Sequence, residues 1–362
     1  MTQTQPHREH ITALPAGLTF EPGPGPDRPA LHRPRGHCPR GGPAVETRWP
    51  DDVTHLTVTR IGVQHPDAAA GRAAAAVALR LLAGPHRPDK VERCRLRDLT
   101  GHLPGTPADE VLVCYWTDPS THVRWWNSPP VRAWWDTLPE DGPLGHWVET
   151  TTTPVRRTET MYSAPHAAGS ATLAKVGWTG LHDYPGAARD RIPATGDLGP
   201  GGVPDPDLEP GGSPLGRRVR IRASDDGLCF IRTAQDWTRA PDEQLRPYRA
   251  EVEPAYLAAV RHLARRTEGC LSAQFLDAVG PDGRRGTGSE AVLWFRSLHD
   301  LLRWARDHPT HHAILNAFWT AMIAPFGPEA LRLVLWHEVH VLPENSLIAE
   351  YVNCRPRTGL LP

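Results

Sequence analysis

Tyr115-Trp116-Thr117-Asp118-Pro119, running on to Arg124-Trp125, is the stretch that decides the fold. A strand read over 110–116 hands over there to a helix over about 120–135, broken near Pro129-Pro130. The same hand-over returns as Trp294-Phe295 followed by Arg303-Trp304, at a constant offset of 179 (294 against 115, 303 against 124). Farther on, Trp147-Val148-Glu149 returns as Trp336-His337-Glu338, at an offset of 189 (336 against 147).

Working outward, the first half reads as a β-branched strand at 55–63, an Ala/Leu-rich helix at 68–82, the strand and broken helix above, and a long strand at 146–155. In the second half a strand at 218–232 precedes a helix at 241–266, strands at 271–278 and 291–295 and a helix at 298–306. A further helix opening at Pro309 and strands at 331–342 and 347–353 complete it. A twofold repeat of a βαββαβ, ferredoxin-like unit would pack two antiparallel sheets against each other with helices outside. Chance recurrence in a chain with 13 Trp is the competing account. The expected class is α+β, with duplicated ferredoxin-like units in a barrel-like sandwich. The domain reading is a Pro/Gly-rich arm at 1–50, a first half at 51–195, a Gly/Pro-rich loop at 196–216 and a second half at 217–362.

Composition narrows the function. With 40 basic against 41 acidic residues the net charge is −1, so there is no electrostatic footprint for general nucleic-acid or membrane-surface binding, and small molecules become the expected partners. Six scattered cysteines without a Cys-x-x-Cys pair read as reduced thiols. The N-terminal stretch lacks a secretory pattern, and the longest apolar run, 313–326, is interrupted by Asn316 and Thr320. The expectation is a soluble, cytoplasmic protein.

The two halves differ where chemistry needs them to. In the repeat, His311 stands where the first half has Arg132, and His337 where it has Val148. Pro309 in His308-Pro309-Thr310-His311 restarts a helix and puts His311 in its first turn, ahead of an apolar run. Such a histidine is either a satisfied core residue or a metal ligand; a zinc site needs more N/S ligands than the spacing offers, and one axial imidazole in an apolar wall suits haem better. Trp336-His337-Glu338-Val339-His340 is one residue short of a zincin motif and lies on a strand, so alternation sends His337 and His340 to opposite faces. An inward His337 could give and take a proton near neutral pH, or simply bond a carbonyl. Thr233 offers a hydroxyl at a strand end, where an ordinary turn or cap is the alternative. Arg191 precedes the Gly/Pro-rich loop, where solvation would explain it equally, and Glu159 is a lone carboxylate on a strand.

Taken together, these segments resemble the haem-containing aldoxime dehydratase family. The matching stretches are Ile61-Gly62-Val63-Gln64, Tyr115 to Pro119 through Arg124-Trp125 and Trp134-Trp135, Asp190-Arg191-Ile192-Pro193, Ile231 to Trp237, and Arg303-Trp304-Ala305 through His311. The closing block is Trp336 to Val339, then Glu350-Tyr351-Val352-Asn353-Cys354 with Pro356, Thr358-Gly359 and Leu360. The resemblance runs from about residue 50 to the C-terminus. It implies a homodimer of barrel-like α+β fold holding a ferrous haem b, with His311 as proximal ligand and His337 as distal acid/base. Arg191 is then the distal arginine, Glu159 a carboxylate linked to the distal histidine, and Thr233 a hydroxyl donor where the family pattern has Ser. The implied reaction is removal of water from an aldoxime to give a nitrile. A haem-binding sensor or carrier and a peroxidase-like haem enzyme of related fold are the competing classes.

Overall fold

The computed structural model describes residues 30–39, 44–97, 99, 109–165 and 168–362. Its first half contains β1 (Ala44–Arg48), β2 (His55–Gln64), α1 (Ala68–Leu82), β3 (Lys90–Leu96), β4 (Glu110–Trp116), α2 (Pro119–Trp126), α3 (Pro129–Asp136) and β5 (Gly145–Pro154). Then come β6 (Thr158–Tyr162), β7 (Lys175–Thr179), the short α4 (Ala187–Arg191) and β8 (Asp205–Pro206). The second half runs β9 (Arg218–Arg222), β10 (Leu228–Asp236), α5 (Asp242–Pro247), α6 (Glu253–Leu263), β11 (Cys270–Val279), β12 (Arg285–Phe295), α7 (Leu298–Asp307), α8 (Pro309–Phe318), β13 (Val334–Leu342) and β14 (Leu347–Val352). Local chemistry sets the helix starts. Asp67 accepts from the backbone N–H groups of Ala69 and Ala70 at the head of α1, and Asp118 caps α2 ahead of Pro119. Pro129 and Pro130 end the run of α2 and occupy the first turn of α3, which explains the predicted break.

Among the described residues all the strands join one 14-stranded sheet in the order β7-β1-β6-β13-β10-β12-β11-β3-β4-β2-β5-β14-β9-β8. Within it, β3-β4-β2-β5 and β11-β12-β10-β13 share one order, with helices after the first and third strand of each set, and the two sets meet at the antiparallel β3–β11 pair. The strand following each set crosses to the other, β6 onto β13 and β14 onto β5. Val58, Val113 and Tyr115 of one set pack in a single core with Phe230, Val292 and Trp294 of the other. The sheet therefore curls until the two sets face each other, and the helices cover its outer faces through separate clusters.

Two charge clusters lie between the faces, and they mirror each other. Arg60 of β2 pairs with Glu149 of β5, which also accepts from Trp294 Nε1 at 3.2 Å. Arg232 of β10 stands 3.2 Å from Glu338 of β13, which accepts from Tyr115 Oη at 2.6 Å. Each guanidinium also lies over a tryptophan, Trp147 at 5.5 Å and Trp336 at 5.3 Å. The repeated Trp147/Glu149 and Trp336/Glu338, with Tyr115 and Trp294, are thus the residues that hold the two charges in the core. Arg232 meets Glu92 and Glu290 as well; burial pushes the Glu290 carboxyl up, while Arg232 and Lys90 outweigh burial at Glu92 and hold it at about 2.

Several expectations change. Residues 44–48, assigned to the arm, form β1 between β6 and β7, and the segment before them is tied down by Arg33 N donating to Asp190 Oδ2 at 3.0 Å. The rest of the proposed arm, 1–29 and 40–43, lies outside the described residues. β3 was not expected: its charges mask the strand pattern, and ion pairs such as Lys90–Glu92 (2.7 Å) and Arg95–Glu110 (2.6 Å) satisfy them. The strand read at 218–232 is two, β9 and β10. Gly227 turns between them at φ +103°, where a Cβ would sit 2.3 Å from the Gly199 carbonyl oxygen. The helix read at 241–266 is α5 and α6 joined by a π-helical turn, Tyr248–Val252. The loop at 196–216 is anchored at the sheet edge, where β8 pairs with β9. Among the described residues no helix is long and apolar enough to cross a membrane.

Candidate active site

Between the outer face of β10 and β13 and the helices α6, α7 and α8 lies a cavity of about 220 Å³. Alternation along the strands explains its lining. Ile231, Thr233 and Gln235 of β10 and Leu335, His337 and Val339 of β13 line it, while Phe230, Arg232, Glu338 and His340 point the other way, into the core. Thr233 and His337 are direct cross-strand partners. In the first half the corresponding space is filled by Trp116, Trp125, Val131, Trp135 and Val148.

One wall carries His311. His308 caps α8, Pro309 takes its first position, and His311 follows in the first turn, lining the cavity. Its Nδ1 is buried without a hydrogen-bond partner, and burial pulls its pKa down to about 4, so the ring is neutral at pH 7 with a lone pair available. The indole of Trp304 meets it edge-on at 5.0 Å. Not one residue of α8 is buried, although it carries Ile314, Leu315 and Phe318 toward the cavity.

The facing wall carries His337, backed by two charges. Arg191 closes α4 and donates from Nε to Glu159 Oε2 at 2.7 Å, from Nη1 to the Leu181 carbonyl at 2.5 Å and from Nη2 to His337 Nε2 at 3.0 Å. That uses three of its five N–H donors. Glu159 Oε1 lies 3.0 Å from the same His337 Nε2, an ion-pair contact off the hydrogen-bonding direction. Burial raises the Glu159 carboxyl, but Arg191 and then His337 outweigh it and hold it at about 2, so it is ionised. His337 Nδ1 has no hydrogen-bond partner among the described residues.

Thr233 lines the cavity, and its backbone is fixed by a residue the sequence reading missed. Tyr256 Oη donates to the Thr233 carbonyl at 2.7 Å and accepts from Ala291 N at 2.9 Å, a bridge between β10 and β12. A second missed group supports Arg191: Asp190 accepts from Tyr184 Oη at 2.9 Å as well as from Arg33 N. Only the adjacency of Asp190 to Arg191 hinted at the latter; Tyr256 had no signal beyond its helical period.

All five site residues expected from the sequence thus adjoin one space: His311, His337 and Thr233 line it, and Arg191 and Glu159 stand behind His337. The donor set suits haem. A single neutral imidazole with an orphaned nitrogen projects into an aliphatic and aromatic lining, and no second metal-ligating side chain adjoins it in the cavity wall other than His337.

Comparison with known proteins places the chain in a family. Residues 59–360 match the family described as haem-containing dehydratase. A phenylacetaldoxime dehydratase of Bacillus sp. (strain OxB-1) is 32% identical over 344 residues, covering 91% of this chain and 93% of that protein. A crystal structure of an aldoxime dehydratase superposes with a TM-score of 0.82 at 27% identity, covering 93% of this chain and 95% of the other. An aldoxime dehydratase solved in complex with butyraldoxime gives 0.78 at 26% identity, with 88% of each chain covered.

Proposed function

Since the chain belongs to the haem-containing dehydratase family, we propose that it is an aldoxime dehydratase, a lyase that turns R–CH=N–OH into R–C≡N and water. The observation that carries this reading is the opposition of His311 and the His337–Arg191–Glu159 group across one apolar cavity.

We read the cofactor as haem b in its ferrous state, with His311 as its proximal ligand. Held there by His311, the haem would supply Lewis-acid and electron-donating chemistry to the oxime. The remaining steps belong to the chain. Protonation of His337 exchanges the bond its Nε2 accepts from Arg191 Nη2 for an Nε2–H given to the ionised Glu159, 3.0 Å away, and leaves its Nδ1–H for the oxime oxygen. The Nδ1 proton passes to the departing hydroxyl, which leaves as water. Neutral His337 keeps the proton on Nε2, so Nδ1 is free to take the proton bonded to carbon as the nitrile forms. The proton given and the proton taken balance, and no net electron is consumed. The Thr233 hydroxyl and the two uncommitted N–H groups of Arg191 hold the leaving oxygen. The apolar lining admits the hydrocarbon tail.

We further read the two matching strand sets as duplicated ferredoxin-like units, and the working form as a cytoplasmic homodimer.

The test is product analysis: the haem-supplied protein, reduced without oxygen, forms nitrile from phenylacetaldoxime or butyraldoxime. Peroxide turnover in the ferric state with inertness to both aldoximes would overturn the reading.

A further inference from the structure

We propose that His262, Glu268 and His308 form a binding site for a divalent transition metal of the zinc class, fastening the end of α6 to the start of α8. Among the described residues these three are the group of histidine, cysteine and carboxylate side chains close enough to share an ion, with ligand atoms all within 4.8 Å of one another. They lie outside the cavity lining and the mechanism gives them no task.

The geometry is partly prepared. The rings of His262 and His308 stack at 4.2 Å with an interplanar angle of 27°, and Glu268 Oε1 stands 4.0 Å from His262 Nε2. Tetrahedral zinc with bonds of about 2.1 Å brings its ligand atoms to roughly 3.4 Å of one another. The group therefore has to close by less than the length of a bond, which side chains with 23% and 33% exposure at His262 and Glu268 can do. Burial and the neighbouring His308 both lower the His262 pKa, favouring the neutral ring that a metal requires. Glu268 is turned toward the imidazoles by a backbone in the left-handed region, φ +56°, between Arg266 at +62° and Gly269 at +76°. Left-handed non-glycine residues are uncommon and costly, and here two fall within three positions.

The surroundings complete the argument. Coordination through His308 Nε2 places the ring proton on Nδ1, which exchanges the capping bond it accepts from Thr310 N at 3.2 Å for donation to Thr310 Oγ1 at 2.8 Å, the usual outer-shell support of a metal-bound histidine. Thr310 Oγ1 also accepts from Trp304 Nε1 at 3.3 Å, and Trp304 packs edge-on against His311. A metal here would fix the first turn of the helix that carries His311, with water as the fourth ligand. The proposal does not depend on the dehydratase reading.

The test uses the untagged, haem-loaded protein, stripped with a chelator, dialysed against Zn²⁺ and assayed for zinc per haem iron by elemental analysis. The expected result is one zinc per chain, with affinity weakened at least tenfold in both His262→Ala and Glu268→Gln. The Glu268→Gln change keeps the side-chain shape, and His299→Ala, an exposed histidine on α7, should bind as the unaltered protein does. No stoichiometric zinc, or uptake that both cluster variants retain, would overturn the proposal.

Discussion

At the scale of single residues the account rests on which atom holds the proton. Glu159 is buried and ionised at about 2, so through the working range it is a fixed negative charge beside His337 Nε2. Replacing His337 by Ala should lower nitrile formation by about 10²–10⁴-fold while haem stays bound, measured as initial rate per haem. Glu159→Gln keeps the shape and removes the charge that favours the imidazolium, so the alkaline limb of the pH–rate profile should move to lower pH. An unmoved limb would detach Glu159 from the proton transfer. Glu159 also links pH to stability. Its folded pKa is depressed, so its contribution is complete above the ordinary carboxylate range near 4.3 and is lost as pH falls from there toward 2. Much of this was legible: Trp336-His337-Glu338 and Arg191 carry their chemistry in their identities. What a linear reading missed is the bridging phenol of Tyr256, because nothing in a helix's sequence says which strand carbonyl its tip will reach.

Secondary-structure elements do the aiming. β10 and β13 send odd-numbered residues to the cavity and even-numbered ones to the core, so one register places Thr233 beside His337 and Arg232 beside Glu338. Tyr256 reaches from α6 to pin the neighbouring β10–β12 register at Thr233 and Ala291. Tyr256→Phe leaves the buried Ala291 N–H without its acceptor, so the fold should lose about 1–3 kcal/mol, read as a lower Tm. The same change should slow turnover more than it alters haem content; a variant with unchanged Tm and rate would remove Tyr256 from the site. Caps and prolines made α1, α2 and α8 legible, because Asp67, Asp118 and Pro309 act on their own neighbours. β3 was illegible for the opposite reason: its Glu92 and Arg95 are satisfied by residues distant in sequence, Arg232 and Glu110.

For the molecule as a whole, the twin clusters of Arg60 and Arg232 tie the two strand sets together. Replacing Arg232 by Met strands Glu338 and Glu290 in the core, and the fold should lose about 3–5 kcal/mol in denaturant titration. Buried histidines set the acid limit. Burial pulls His122 and His146 down to about 4, against about 6.5 in the unfolded chain, which therefore binds more protons between those values. Stability should fall as pH drops from 6.5 to 4, by up to about 3 kcal/mol for each ring. In His122→Gln the slope of Tm against pH over that window should be shallower, and an equal slope would contradict the assignment. The repeat offsets foreshadowed the mirrored strand sets, since Trp147 with Glu149 and Trp336 with Glu338 pack around the core charges. The crossing of β6 and β14 to opposite sets was not foreshadowed, for such a swap leaves no local trace.

The most direct test of the central claim, that His311 and His337 face one aldoxime-dehydrating haem site, is an anaerobic visible-spectrum titration of the reduced protein with phenylacetaldoxime. The unaltered chain and its His337→Ala and His311→Ala variants would be compared. The account predicts a ferrous haem band that shifts on addition and relaxes as nitrile appears, a shift that persists without nitrile in His337→Ala, and loss of the normal haem spectrum in His311→Ala. A haem band indifferent to the oxime, or a normal spectrum in His311→Ala, would contradict it.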